Sequence, residues 1–279
     1  MIAGILNPRR LWQATALTTM RLITHRRLLA EQLRRELLEQ HAGNMIGGIW
    51  LIVHPVFLMG VYVVVFALVF RSRMGGTREL PLDYTAYILS GVVPWLATQQ
   101  ALAKSCSALI QSASLIKQVV FPIEVLLARA VLGALVPFAV MMAVLMVYVL
   151  ITNGSLLLTY LLLPVLVAAL VLWFLGCGFL LAATTVFIRD VRDLVNMFLT
   201  AGLFLLPIIY LPQWLPAAFK PIIYINPFSY VIWCFQDVLY FGRFEHPWAW
   251  PLMIGGGVVV YVLGCRAFQA FRPYFGDAL

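Results

Sequence analysis

Long apolar runs separated by short charged stretches organise this sequence. Leu22, Leu29, Leu33 and Leu37 recur at helical spacing, while Arg26, Arg27, Glu31, Arg34 and Glu36 fall mostly off that stripe. The segment Thr24–Asn44 therefore predicts an amphipathic helix lying in a membrane interface, with a soluble partner-binding helix as the alternative. Polarity then drops. Met45–Phe70 is apolar apart from His54 and Pro55, and it exceeds the roughly 20 residues a helix needs to cross a bilayer. A polar loop, Arg71–Asp83, carries a Gly75-Gly76 turn. The second apolar run is Tyr84–Ser107, with a kink expected at Pro94 because its ring removes one backbone hydrogen bond.

Residues 108–122 read as a short, partly amphipathic connection. The third run is Ile123–Ile151, closed by a tight polar turn at Thr152–Ser155. The fourth is Leu156–Phe187, and the charged turn Arg189-Asp190-Val191-Arg192-Asp193 separates it from the fifth, Leu194–Leu211. The pattern then changes. Pro212, Pro216, Pro221, Pro227, Pro247 and Pro251 punctuate the next stretch, and its longest apolar piece, Phe228–Gly242, carries Asp237. That piece is too short for a straight span, so residues 212–249 predict a re-entrant pair of half-helices. A sixth run, Trp250–Phe268, precedes a short tail. The expected fold is an all-α integral membrane protein with six transmembrane helices, an N-terminal amphipathic interface helix and a re-entrant helical segment before the last span. Residues 1–44 form the N-terminal region, 45–270 the transmembrane domain and 271–279 the tail.

Composition supports this reading. Of 279 residues, 63% are hydrophobic and 11% charged, against about 45–50% and about 25% in soluble domains. Disorder, a coiled coil and a basic nucleic-acid-binding domain are excluded by the same figures. The net charge is +8, and its distribution orients the chain. With six spans, the side holding both termini collects 14 Lys and Arg, seven of them before residue 45, against 5 on the other side. The positive-inside rule places the termini in the cytoplasm. No cleavable leader is expected, because Arg9, Arg10 and Arg21 interrupt the N-terminus before a long apolar run forms.

Several chemistries lack their motifs. None of Lys104, Lys117 and Lys220 follows a glycine, so there is no Walker A loop. Neither H-E-x-x-H nor G-x-S-x-G occurs. The four cysteines and four histidines are scattered, and no metal site is expected from them. Asp190-x-x-Asp193 admits a magnesium-binding reading, but no second acidic cluster accompanies it, and a charged turn balanced by Arg189 and Arg192 is the simpler reading.

More informative is the stretch Leu115-Ile116-Lys117-Gln118-Val119-Val120-Phe121-Pro122-Ile123-Glu124. Pro122 stops a short helix and opens the next, and Glu124 suits a helix start. Glu124 and Arg129 are expected to pair partially. A short helix wedged between two spans is a natural socket for a soluble partner. This stretch resembles the "LIKK-hydrophobic-FP-x-E" segment of ABC transporter permeases of the polysaccharide-export type, which move lipid-linked O-antigen, teichoic acid or capsule chains. Four further segments resemble that family in order: Gly47-Gly48-Ile49-Trp50 followed by Pro55, Gly91-x-x-Pro94-Trp95, Phe187–Asp193, and Asn226-Pro227-Phe228 followed by Gly242. The family's "RYR-x-S-x-LG" string is replaced here by Glu39–Gly47.

The resemblance implies a homodimer of this chain in membrane lipid, with two copies of a separate ATPase that binds ATP and magnesium. This chain itself would bind no cofactor, hydrolyse no ATP and contact no nucleic acid. The helix over 109–121 would couple to the ATPase through Leu115, Ile116, Lys117, Gln118, Phe121, Pro122 and Glu124, joined by Arg34 and Arg35 of the Thr24–Asn44 helix. A lipid-linked polysaccharide would need aromatic rings for sugar faces to stack on. Tyr62, Tyr87, Trp95, Tyr210, Trp214, Tyr224, Tyr230 and Trp233 are the candidates for its pathway, with an interfacial aromatic belt as the alternative. Two other classes stay open: an exporter of the same architecture for small amphiphiles or drugs, and a lipid-modifying membrane enzyme served by Asp190 and Asp193.

Overall fold

The computed structural model describes residues 8–39, 47–69, 83–118 and 122–278. The expected loop up to Leu82, the string from Gln40 to Ile46 and Phe121 lie outside the described residues. Among the described residues the regular structure is entirely helical.

Two helices, not one, open the chain: α1 (Pro8–Thr24) and α2 (Arg26–Glu39). Pro8 supplies a preset φ at the first helical position. The two meet at His25, whose ring nitrogen Nδ1 lies 2.9 Å from the Arg21 carbonyl oxygen. Neither helix floats free at an interface: α1 packs along the last long helix and α2 against the start of the third span.

Next come α3 (Trp50–Val64), extended by a wide π-helical turn, then α4 (Tyr84–Gln111), which continues through Pro94. A six-residue helix, α5 (Ala113–Gln118), follows after a single residue. The third apolar run is broken, against expectation, into α6 (Ile123–Gly133) and α7 (Leu135–Asn153). Pro137 explains the break, because its ring clashes with the carbonyl four residues back, that of Gly133. Gly154 ends α7 at φ +74°, and its N–H donates to the Leu150 carbonyl at 2.9 Å. Few residues other than glycine adopt that geometry.

After α8 (Leu163–Phe187) comes α9 (Val191–Leu205), which is shorter than the expected Leu194–Leu211 run. Pro207 forces Leu206 into extended backbone, at φ −111° and ψ 155°. The proline-rich stretch holds α10 (Lys220–Ile225) and α11 (Pro227–Gln236), and a π-helical turn carries α11 on to Phe241. The Asn226 side chain caps α11 by accepting from Phe228 N–H at 3.1 Å. A positive-φ Gly242 turns the chain toward α12 (Ala249–Phe271), and a short α13 (Phe275–Ala278) closes it.

Among the described residues, four helical stretches are long and apolar enough to cross a membrane: Gly47–Ala67, Ile123–Asn153, Leu158–Phe187 and Ala249–Tyr274. They match the expected first, third, fourth and sixth runs. The expected second and fifth fall short for different reasons. α4 is long enough but carries Gln99, Gln100 and Lys104, and α9 has only 15 residues. α4 is the core of the bundle, buried over most of its length. The outward faces of α3, α7, α8 and α12 stay apolar and exposed, among them Phe57, Ile151, Val165 and Val259. A bilayer covers such faces at no cost in hydration.

Close backbone approach holds the bundle together. A Cβ on Gly176 of α8 would stand 2.5 Å from the Tyr261 nitrogen of α12, and one on Gly264 would stand 2.3 Å from the Gly176 oxygen. Small residues at a crossing let dispersion contacts replace the hydrophobic drive that lipid does not supply. Above that crossing, Trp173 of α8 lies over Gly256 and Gly257 and donates to the Met253 carbonyl at 2.7 Å.

Candidate functional site

The polar chemistry gathers at the two ends of the bundle. At one end, α4 runs into α5, and Pro122 caps α6 in extended backbone at φ −69° and ψ 97°. Lys117 is exposed and Ile116 half-buried on the core, so α5 turns a charged side outward. Arg34 and Arg35 of α2 are exposed as well. Leu115 and Gln118 belong to α5, but their side chains lie outside the described residues.

Behind this outward face are two ion clusters. Glu124 is fully buried and is met by Arg21 of α1 at 2.5 Å, by Gln269 Nε2 of α12 at 2.9 Å and by Arg272 at 3.5 Å. Glu36 of α2 takes Lys104 of α4 at 3.1 Å and Arg129 of α6 at 3.1 Å, while Arg129 also donates to Gln32 at 3.2 Å. A buried carboxylate needs such partners, because desolvation of an unpaired charge costs several kcal/mol. The expected pair of Glu124 with Arg129 does not form. Helical neighbours lie three or four residues apart, and these two are five apart, which puts them on different faces. Each instead finds a partner on the N-terminal helices.

Between α8 and α9 lies the charged turn. Arg189, Asp190, Arg192 and Asp193 are all exposed, and no ion pair joins them among the described residues. Asp193 sits in the first turn of α9, where the helix dipole favours a carboxylate. No group of three or more His, Cys, Asp or Glu is placed to hold a metal among the described residues. Along α9, an open groove of about 610 Å³ is lined by Asp193, Asn196, Met197, Thr200, Ala201 and Phe204. The spacing of these residues makes one mixed polar and apolar face.

At the opposite end the candidate aromatics divide into two groups. Tyr87, Trp95 and Trp233 are buried in the core of the chain, and Tyr87 also stands at the wall of a cavity beside Gln213 and Tyr224. Tyr87 donates to the carbonyls of Pro207 and Tyr210 at 3.4 and 3.3 Å, pinning the turns after α9. Trp95 lies edge-on to Phe228 at 5.9 Å and fills the space beside Gly202, where a Cβ would come within 2.0 Å of its ring. Tyr62, Tyr210 and Tyr230 are half-buried, and Trp214 and Tyr224 are exposed. Tyr62 stacks on Phe66, and Tyr210 donates to the Phe204 carbonyl at 2.7 Å. Trp214 leans on Tyr84 at 6.3 Å, and Tyr230 donates to the Tyr224 carbonyl at 2.5 Å.

One cluster at this end was not singled out as a site from the sequence. Asp237 is buried and accepts from His246 Nδ1 at 2.8 Å, His246 N–H at 3.1 Å and Trp250 Nε1 at 3.0 Å. The signal was present, as a single acid within an apolar segment, since a carboxylate there must find donors. Its partners lie beyond a turn, where periodicity does not reach.

Residues 28–240 match the family described as ABC-2 type transporter. The chain is also similar to two curated proteins, each called O-antigen export system permease protein RfbA. The one from Klebsiella pneumoniae is 22% identical over 253 residues, covering 90% of this chain and 95% of the relative. The one from Myxococcus xanthus is 26% identical over 262 residues, covering 92% and 97%.

Proposed function

The chain belongs to the ABC-2 type transporter family, and from that premise we propose that it is the permease subunit of an ATP-driven exporter of a lipid-linked polysaccharide. The observation that carries this reading is the near full-length likeness to two proteins named as O-antigen export permeases. Two copies of the chain form the path, and two copies of a separate ATPase drive it. ATP and magnesium reside in that partner, because this sequence has no Walker A loop.

The architecture we propose has six spans, with both termini on the cytoplasmic side of the inner membrane. α3, α4, the α6–α7 pair, α8, α9 and α12 are the spans, and α10 with α11 re-enters from the far side. α9 rises only about 1.5 Å per residue, so its 15 residues and the turns that follow it to Leu211 would cross together. The basic excess near α1, α2 and α5 supports this orientation.

On this reading α5 is the docking element, with Ile116 on the core, Lys117 outward and Pro122 as a stiff joint to α6. Leu115, Gln118 and Phe121 belong to the same socket, and Arg34 and Arg35 form its neighbouring basic edge. Glu124 then passes movement to α1 and α12 through charge pairs that resist bending. The polysaccharide moves along the α9 groove, where Asn196 and Thr200 offer hydrogen bonds beside Met197 and Phe204. Half-exposed Tyr62, Tyr210, Trp214 and Tyr230 flank the path, while Tyr87, Trp95 and Trp233 stiffen its wall.

Deletion of the gene tests the reading. Surface polysaccharide should disappear, and lipid-linked chains should build up on the cytoplasmic leaflet. Unchanged surface polysaccharide would overturn it.

A further inference from the structure

The end of the bundle remote from α1 and α2 contains a cavity of about 480 Å³, lined among others by Gln213, Tyr224, Arg243, Glu245, His246 and Trp248. That volume lies within the roughly 300–1,000 Å³ of small-molecule sites. Its walls come from four separate elements: α4 through Tyr87, the turns after α9, the end of α10, and the turn between α11 and α12.

Its aromatic wall is rigid. Trp233 is fully buried and carries Trp248 edge-on at 4.7 Å and His246 stacked at 5.5 Å with planes 16° apart. Trp248 and Tyr224 lie 5.7 Å apart, with planes 35° from parallel. Both keep a similar fraction of their surface accessible, at 40% and 42% exposed. Two propped, half-exposed rings form a surface that loses little entropy on binding a flat apolar face.

The polar wall is also preorganised. Asp237 is 1% exposed and holds His246 by both its backbone N–H and its Nδ1. A carboxylate on Nδ1 fixes the tautomer and ring orientation, leaving Nε2 as the ring atom available to a ligand. No partner for Nε2 occurs among the described residues. Anchoring the turn needs the backbone bond and the Trp250 bond, but not the imidazole. At the rim, Arg243 Nε donates to Glu245 at 2.8 Å.

Charge selects the ligand class. Of the lining residues Arg243 is offset by Glu245, and Asp237 is buried behind His246 and does not line the cavity, so the lining has no excess of either sign to attract a phosphate or an ammonium. It offers instead mixed donors and acceptors around an aromatic face, the complement of a neutral polyol with one apolar side. We propose that this cavity is a sugar-ring site of each protomer, in which Trp248 and Tyr224 supply the stacking face and His246, oriented by Asp237, bonds a ring hydroxyl. The inference rests on the polysaccharide-export reading and adds to it a binding position on the far side of the membrane, before release.

The test uses the full chain in lipid nanodiscs with saturation-transfer difference NMR. The probes are free glucose, galactose, mannose, rhamnose and N-acetylglucosamine, each at millimolar concentration. At least one sugar should show saturable transfer. Its affinity should fall roughly five- to tenfold in His246→Gln and in Trp248→Ala, in line with the loss of one bond or one stacking surface. Asp237→Asn should weaken it similarly; if that variant does not fold, the two rim variants, on half-buried and exposed residues, decide. No transfer to any sugar, or equal transfer in the wild type and folded His246→Gln and Trp248→Ala, overturns the site. The export reading is read separately, from the deletion strain, so the two fail independently.

Discussion

Arg21 of α1 and Glu124 of α6 lie 103 residues apart in the chain and meet at 2.5 Å. Glu124 has no exposed surface, while the Arg21 side chain keeps 31% of its own. The pair sits directly after Pro122, so the joint between α5 and α6 is braced against α1, and through Gln269 and Arg272 against the end of α12. Removing Arg21 leaves Arg272 at 3.5 Å as the remaining cation. Arg21→Ala should cost about 3 kcal/mol, the lower end of the range for breaking a buried pair, since Arg21 is partly solvated and Arg272 remains. Thermal unfolding in nanodiscs should show it, and Glu124→Gln in the same background should add little. Full additivity of the two would mean they do not interact.

Lys117 and Pro122 give a test of coupling. Lys117→Glu reverses an exposed charge on α5, and Pro122→Asp loosens the joint to α6. Both proteins should insert normally, bind the partner ATPase more weakly and lose export by roughly tenfold or more, as for a docking contact with misplaced charge. The measurement pairs surface-polysaccharide staining with co-purification of the ATPase. Normal export by the doubly substituted chain would move the docking contact to Arg34 and Arg35.

Cysteine labelling checks the orientation. A cysteine at Asn153, exposed at the end of α7, should react with an impermeant reagent added outside. One at Gly276, exposed in α13, should react only after permeabilisation. External labelling at Gly276 would mean that α10 and α11 cross the membrane instead of re-entering.

The crossing of α8 and α12 predicts a strong size limit. Gly176→Leu and Gly264→Val each push a side chain into the opposing backbone, which has no soft atom to yield. Overpacking of this kind costs about 1–3 kcal/mol and often more. Both variants should aggregate on size-exclusion chromatography, whereas Gly255→Ala, with open space around it, should not. Gly202→Ala, facing the Trp95 ring, should be rescued by Trp95→Phe.

Much of the fold was legible because spans are local. Gly47–Ala67, Leu158–Phe187 and Ala249–Tyr274 fall within a few residues of the apolar runs read from the sequence, since crossing a bilayer takes only length and the absence of charge. The turn at Gly154 was equally readable from its residue type. The break after Gly133 and the early end of α9 were written in Pro137 and Pro207, and they were missed because apolar content masked the two prolines. The α1 helix was missed because its residues are neither long-run apolar nor cleanly striped.

The site was legible only in its materials. The family likeness pointed to the segment around Lys117, Pro122 and Glu124, but the partners of Glu124 were misread, since spacing along one helix says nothing about arginines brought in by α1 and from the end of α12. Aromatic content predicted a pathway without telling which rings face it. The sequence by itself determined a membrane protein, four of its apolar spans, its charge asymmetry and its want of a nucleotide loop, because these are sums over neighbouring residues. Only the tertiary structure decided that Arg21 neutralises Glu124, that Trp95 and Trp233 are buried, and that Asp237 holds His246 beside an open cavity. Each of these depends on which helix faces meet, and that follows from close packing across the whole bundle, at crossings such as Gly176 on Gly264.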